Sequence, residues 1–331
     1  MNKIRHAQQR KKKPTFGIAL GAGGARGFVH IGILKSLAKH NITPDYIAGT
    51  SVGAIIGAAY AAGRSPEDIA SFFQNTDWKE VMDFTIPQAG IMYGEAGEKL
   101  IRELIYNKSF KQLHVPLSVV AYNLTAHKKE VFTKGNVARA VHASYSIPGI
   151  FAPVTIGKCS YIDGGIVDPT PFDVLQKKNV DVILAVDLYS PLNQNHAAMK
   201  RERELLEKLK HRFIVKELFY VKNYIFPTRW PNLIRNILIW LFDKIFYPQQ
   251  ILRFLSKREL PVITQVMNET INTLTNNLAW EKMHHGKIDI VIKPYFDSLD
   301  WLDLDQVEKF VKIGEQAMEN KIPELKKKLG R

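Results

Sequence analysis

Asp45-Tyr46-Ile47-Ala48-Gly49-Thr50-Ser51-Val52-Gly53-Ala54-Ile55-Ile56-Gly57-Ala58-Ala59-Tyr60-Ala61-Ala62 is the stretch on which the fold turns. The short apolar run at 45–48 reads as a buried strand, and the small and apolar residues from Ala54 to Ala62 read as a helix. Between them, Gly49-Thr50-Ser51-Val52-Gly53 fits G-x-S-x-G at a strand-to-helix turn. Such a turn lifts its serine out of the sheet, and the small flanking residues let a substrate carbonyl approach the hydroxyl. Ser51 is therefore the candidate nucleophile. Ordinary composition produces one such pentapeptide in roughly one chain in ten of this length, so the motif alone leaves a helix-capping serine open. The run from Tyr46 to Gly63 carries no charge and approaches the length of a membrane span, but its four glycines and internal turn read as buried strand and core helix.

A second glycine-rich turn, Gly21-Ala22-Gly23-Gly24-Ala25-Arg26-Gly27, follows the strand pattern Phe16–Leu20 and precedes a helix pattern from Phe28 to His40. Exposed N–H groups at such a turn attract negative charge, either a bound phosphate or the oxyanion of a tetrahedral intermediate. With Asp45 downstream, the turn also resembles a dinucleotide-binding fingerprint. The G-x-G-x-x-G register is not met, however. Counting from Gly21 the third glycine position holds Arg26, and counting from Ala22 the first glycine is missing.

A third segment, Tyr161-Ile162-Asp163-Gly164-Gly165, ends a β-rich stretch (153–162). Locally, Asp-Gly reads as a hairpin turn, while at the end of a strand the same aspartate is free to point at Ser51.

Taken in order, Gly21–Gly27, Gly49–Gly53 and Asp163–Gly165 resemble the patatin-like phospholipase family, and within it the small bacterial members related to the lysophospholipase domain of neuropathy target esterase. Arg26–Leu34, Pro44–Ser51, Ser146-Ile147-Pro148-Gly149-Ile150-Phe151-Ala152-Pro153 and Ala185–Leu188 extend the resemblance over Phe16–Leu188, and it resumes more weakly from Ile288 to Leu329. The resemblance implies a Ser-Asp dyad without histidine: Ser51 as nucleophile and Asp163 as base. It also implies an oxyanion hole from the backbone around Gly23, Gly24 and Ala25, with Arg26 at the family's basic position. Ala22 departs from the glycine of many members. The implied fold is a three-layer α/β/α patatin-like fold with a largely parallel central sheet and an inserted helical segment, in keeping with strand signals near 16–20, 45–48, 116–122, 130–133, 153–162 and 182–187. The implied substrate is a phospholipid or lysophospholipid acyl ester. No metal or organic cofactor is implied, and the oligomeric state is not legible.

Histidine triads order their members differently on different folds, so His30, His127 and His142 are the alternatives to a dyad. His30 and His142 sit within amphipathic helix patterns and read as packed helix residues; His127 reads as part of a turn beside Lys128 and Lys129. No H-E-x-x-H helix, cysteine-rich metal spacing or Walker loop is present. The single cysteine, Cys159, excludes an intramolecular disulfide and fits a reducing compartment.

Charge divides the 331-residue chain, whose net charge is +14. Residues 1–13 carry six basic and no acidic side chains, and residues 200–260 carry fourteen basic and six acidic. These two segments account for the whole excess, leaving the catalytic remainder near neutral. The expected organisation is a basic tail (1–14), a catalytic core (15–199), a helical, basic and aromatic insert or cap (200–285), and a C-terminal strand and helix completing the core (286–331). Basic residues interleaved with Phe213, Tyr220, Trp230, Trp240 and Phe246 suit either a cap over the core or a helix lying in a bilayer interface. Arg235, Asp243 and Lys244 interrupt the apolar run 233–246, so it is not expected to span. An anionic membrane surface is thus the expected partner, with a cytoplasmic, peripheral location on the inner face. No nucleic-acid module accompanies the charge, and none is expected to bind. The alternative to a hydrolase is a membrane-associated regulatory or scaffolding protein that keeps the fold with little turnover.

Overall fold

The computed structural model describes residues 13–81, 92–189, 262–296, 299 and 303–331. The expected basic tail, save its end, and the basic, aromatic stretch 200–260 lie outside the described residues.

The first strand, β1 (Phe16–Leu20), is buried along its whole length. Its period-two alternation sends Phe16, Ile18 and Leu20 into one core and Ala19 into another on the opposite face. The same alternation divides β7 (Val182–Val186), which pairs with β1 in parallel register. Two-sided burial is what a parallel sheet between helical layers requires, and it explains the near-continuous apolar text of these strands. In sheet order, β2 (Tyr46–Thr50), β1, β7 and β8 (Ile290–Ile292) are parallel neighbours, and β3 (Leu117–Asn123) joins β2 in parallel.

Beyond β3 the pairing reverses. β4 (Lys128–Phe132) returns antiparallel to β3 through a turn containing His127, at φ 50°. The β-rich stretch 153–162 folds on itself as β5 (Val154–Ile156) and β6 (Cys159–Asp163), because Gly157 adopts φ 63° between them. The sheet is thus largely parallel with an antiparallel margin, and the margin delivers Asp163.

On the larger core pack α1 (Val29–Lys39), α2 (Val52–Ala61), α3 (Pro66–Gln74), α5 (Glu95–Leu104), α6 (Val137–Tyr145), α9 (Val307–Glu319) and α10 (Ile322–Lys328), with the short α4 (Trp78–Val81) at its edge. The opposite core holds Phe172, Val174 and Leu175 of α7 (Phe172–Gln176) and Met283 of α8 (Val262–His285). Helices therefore cover both faces, giving the α/β/α layering. Among the described residues no helix is long and apolar enough to cross a membrane.

Candidate active site

The polypeptide leaves β2 at Thr50 and enters α2 at Val52, so a single residue makes the turn. That residue, Ser51, sits at φ 55° and ψ −123°, a conformation that costs a non-glycine residue about 1–3 kcal/mol. The flanking glycines answer close approaches. A Cβ at Gly49 would stand 2.6 Å from Gly53 O, and one at Gly53 would run into Leu20 O. The helix begins two residues earlier than the sequence pattern indicates, because Ser51 O already accepts from Ala54 N (2.9 Å) and Ile55 N (3.2 Å).

Ser51 does not cap α2 with its side chain. Its hydroxyl donates instead to Asp163 Oδ2 at 2.6 Å, and its N–H donates to Ser144 Oγ at 2.8 Å. Ser144 in turn donates to Val120 O at 2.6 Å. Strand β3 brings the two partners together: Thr50 lies opposite Val120, and Asp163 lies opposite the next residue, Ala121.

Asp163 ends β6, and a 3-10 turn (Gly164–Ile166) follows it rather than a hairpin. Its Oδ1 accepts from Gly165 N at 2.7 Å, and its N–H donates to Ser146 O at 2.9 Å. Burial pushes the carboxyl pKa up to about 6, against the Ser51 hydroxyl and the Gly165 N–H, which both favour the charged form. Among the described residues no basic side chain forms an ion pair with it. Among the described residues Asp163 is therefore a buried carboxylate with two hydrogen-bond donors and no cation.

The glycine loop leaves β1 and enters a 3-10 turn, Gly24–Phe28, through Gly23 and Gly24 (φ 57°). Three contacts fix its root: Gly21 N to Val186 O (3.1 Å), Ala22 N to Pro169 O (2.8 Å), and His30 Nε2 with Gly21 O (2.8 Å). Ala22 is buried and does not adopt a positive φ, so its methyl causes no backbone strain in the turn. Among the described residues no backbone acceptor takes the N–H groups of Gly23, Gly24 or Ala25. Arg26 places its guanidinium 5.5 Å from the centroid of the Phe296 ring.

None of the three histidines joins Ser51 and Asp163. His30 is fully buried in α1, and burial lowers its pKa to about 4, so the ring is neutral and donates to Gly21 O. His142 meets Glu98 Oε2 through Nδ1 at 2.8 Å and Tyr93 O through Nε2 at 3.2 Å. His127 is exposed.

Two neighbours carry no sequence motif. Ser144 stands two residues before the Ser146–Pro153 segment, and nothing in its local sequence points to Ser51. Tyr189 is reached from Gly165: a Cβ there would lie 3.1 Å from Asp163 Oδ1 and 3.6 Å from the Tyr189 hydroxyl. Burial raises the phenol pKa, and the charges of Asp163 and Asp187 raise it further.

Residues 18–175 match the Patatin-like phospholipase family model. The chain is 36% identical over 194 residues to an uncharacterized NTE family protein of Mycobacterium tuberculosis, covering 58% of this chain and 52% of that one. It is 31% identical over 186 residues to human patatin-like phospholipase domain-containing protein 6 and 29% identical over 180 residues to Lysophospholipase NTE1 of Candida albicans. Each of those two matches covers 53% of this chain but 13% of the relative. The chain thus spans about half the length of the mycobacterial relative and a small part of the other two. In fold it is similar to VipD from Legionella pneumophila, with a TM-score of 0.50 at 13% identity over 93% of this chain and 66% of that one. Through residues 18–175, a little under half of its length, the chain carries a patatin-like phospholipase domain.

Proposed function

We propose that the protein is a serine acyl-ester hydrolase acting on phospholipid or lysophospholipid acyl esters through a Ser51-Asp163 dyad. The observation that carries this reading is the 2.6 Å hydrogen bond from the strained elbow serine to a buried carboxylate that no cation among the described residues neutralises. A carboxylate whose pKa stands at about 6 is a better base than an exposed aspartate and is still largely ionised at neutral pH.

In this mechanism Ser51 Oγ attacks the ester carbonyl carbon as its proton passes to Asp163 Oδ2. The carbonyl oxygen becomes an oxyanion and takes hydrogen bonds from the N–H groups of Gly23, Gly24 and Ala25, with Arg26 adding positive charge to the same loop. Collapse expels the leaving alcohol, which takes the proton from Asp163 and leaves an acyl-enzyme. Water then attacks the acyl carbon and gives a proton to Asp163. When the fatty acid departs, that proton returns to Ser51 Oγ.

The lipid substrate class is carried over from the relatives, which are named as phospholipase and lysophospholipase proteins. The excess charge of residues 1–13 and 200–260 supports peripheral attachment to an anionic membrane face. Turnover of a short-chain p-nitrophenyl ester, then of a phospholipid and lysophospholipid panel, tests the reaction. Hydrolysis of both supports the reading, and absence of any esterase activity in folded protein defeats it. Flotation with vesicles tests the attachment, which should rise with anionic lipid and fall with salt.

A further inference from the structure

The dipeptide Asp168-Pro169 belongs to none of the three motifs yet touches all three loops. Asp168 N donates to Gly164 O at 2.8 Å, closing the turn behind Asp163. Asp168 O accepts from Thr50 Oγ1 at 2.8 Å, one residue before Ser51. Pro169 O accepts from Ala22 N at 2.8 Å, at the root of the glycine loop. The position of this short segment thus sets the elbow, the aspartate and the proposed oxyanion loop relative to one another.

An ionic cluster holds the segment. The Asp168 carboxylate has no solvent exposure and pairs with Lys129 Nζ of β4 at 2.9 Å and with Lys282 Nζ of α8. Asp173 of α7 pairs with the same two ammonium groups, at 2.6 Å and 2.9 Å. Lys282 also stands 5.2 Å from the centroid of the Phe172 ring. The exposed Lys177 adds a longer contact to Asp173 at 3.9 Å, but the buried Asp168 carboxylate has only Lys129 and Lys282, so removing Lys282 leaves it short of a partner. Lys282 reaches this cluster from beyond residues 190–261, whereas the other three members lie before them.

We infer that Lys282 is a positioning residue for the hydrolysis: by clamping the Asp168 carboxylate from α8, it fixes the backbone contacts that align Ser51, Asp163 and the glycine loop. Its kinetic consequence rests on the proposed hydrolase reading; its consequence for the Ala22 and Asp168 amides does not. A displacement of about 1 Å at a reacting group can lower a rate by about a hundredfold, so a small shift of this segment is enough to matter.

The test compares full-length wild type, Lys282→Met and Lys282→Arg. It measures kcat and KM on a short-chain p-nitrophenyl ester, and hydrogen exchange at the Ala22 and Asp168 amides. The expected result for folded Lys282→Met is a kcat lower by about ten- to a hundredfold with KM nearly unchanged, and faster exchange at both amides. Lys282→Arg should restore both. A folded Lys282→Met with wild-type kcat and wild-type exchange overturns the inference. If Lys282→Met does not fold, the pair Lys282→Met with Asp168→Asn removes one charge of each sign and serves the same comparison. A wild type that neither turns over ester nor takes a fluorophosphonate at Ser51 defeats the hydrolase reading, and the amide exchange alone then decides for or against the clamp.

Discussion

Asp163 and Glu98 are both buried carboxylates in the same domain, and their surroundings make them chemical opposites. Glu98, on α5, accepts from Arg139 Nη1 at 2.7 Å and His142 Nδ1 at 2.8 Å, and pairs with Arg102. Burial raises its pKa, but the hydrogen bonds from His142, Arg139 and Arg102 outweigh burial and hold it at about 2. Asp163 has a hydroxyl and one backbone N–H for company, and burial leaves it at about 6. Burial therefore does not decide what a carboxylate does; the donors around it do. The first arrangement makes an anchor for α5 and α6, and the second suits the base proposed for the hydrolysis, whose pKa must lie near the working pH.

The largest effect that separates them is catalytic. Asp163→Asn should lower kcat on a soluble ester by about 10⁴ or more, the loss seen when the aspartate of a serine-hydrolase triad becomes asparagine and less than the loss of a triad's base itself. Glu98→Gln should lose about 3 kcal/mol of stability in a denaturant titration, because it strips the countercharge from a buried cluster, while activity per folded molecule stays near wild type.

A smaller effect is the pH dependence of stability, where the two have opposite signs. The folded-state pKa of Asp163 stands above its unfolded value of 3.8. Its contribution is thus fully present below about pH 4 and is lost as pH rises through about 6, a change of about 3 kcal/mol. Asp163→Asn should therefore gain stability relative to wild type between pH 4 and pH 7 in chemical unfolding. The Glu98 contribution is present above about pH 4.5 and is lost as pH falls through about 2, so Glu98→Gln should flatten the acid limb of wild-type unfolding. The mildest expected outcome concerns the histidines. His30→Gln, His127→Gln and His142→Gln, if folded, should each keep kcat within about tenfold of wild type, whereas a histidine acting as base would cost far more.

Much of this arrangement was legible in the chain because it is local. The β1 and β2 patterns, the two glycine turns and the helices that follow them are written in consecutive residues. The placement of Asp163 was not legible in the same way. Asp-Gly-Gly reads equally well as a hairpin turn, and only its order relative to the other two motifs, through the family resemblance, pointed it at Ser51. The antiparallel return of β6 onto β3, which brings Asp163 one register step from Thr50, depends on pairings about forty residues apart in sequence. Ser144, Asp168, Tyr189 and Lys282 were invisible for the same reason. Each reaches the site through contacts across strands or from a distant helix, and no periodicity or spacing in a single segment records that.

The central claim is that Ser51 is the nucleophile that Asp163 activates. The most direct measurement treats folded wild type, Ser51→Ala and Asp163→Asn with a fluorophosphonate and locates the adduct by peptide mass spectrometry, alongside ester turnover. One adduct on the peptide containing Ser51 in wild type, slow labelling of Asp163→Asn, and neither labelling nor turnover in Ser51→Ala is the expected result. Turnover undiminished in folded Ser51→Ala, or an adduct on another residue that accounts for the activity, contradicts the account.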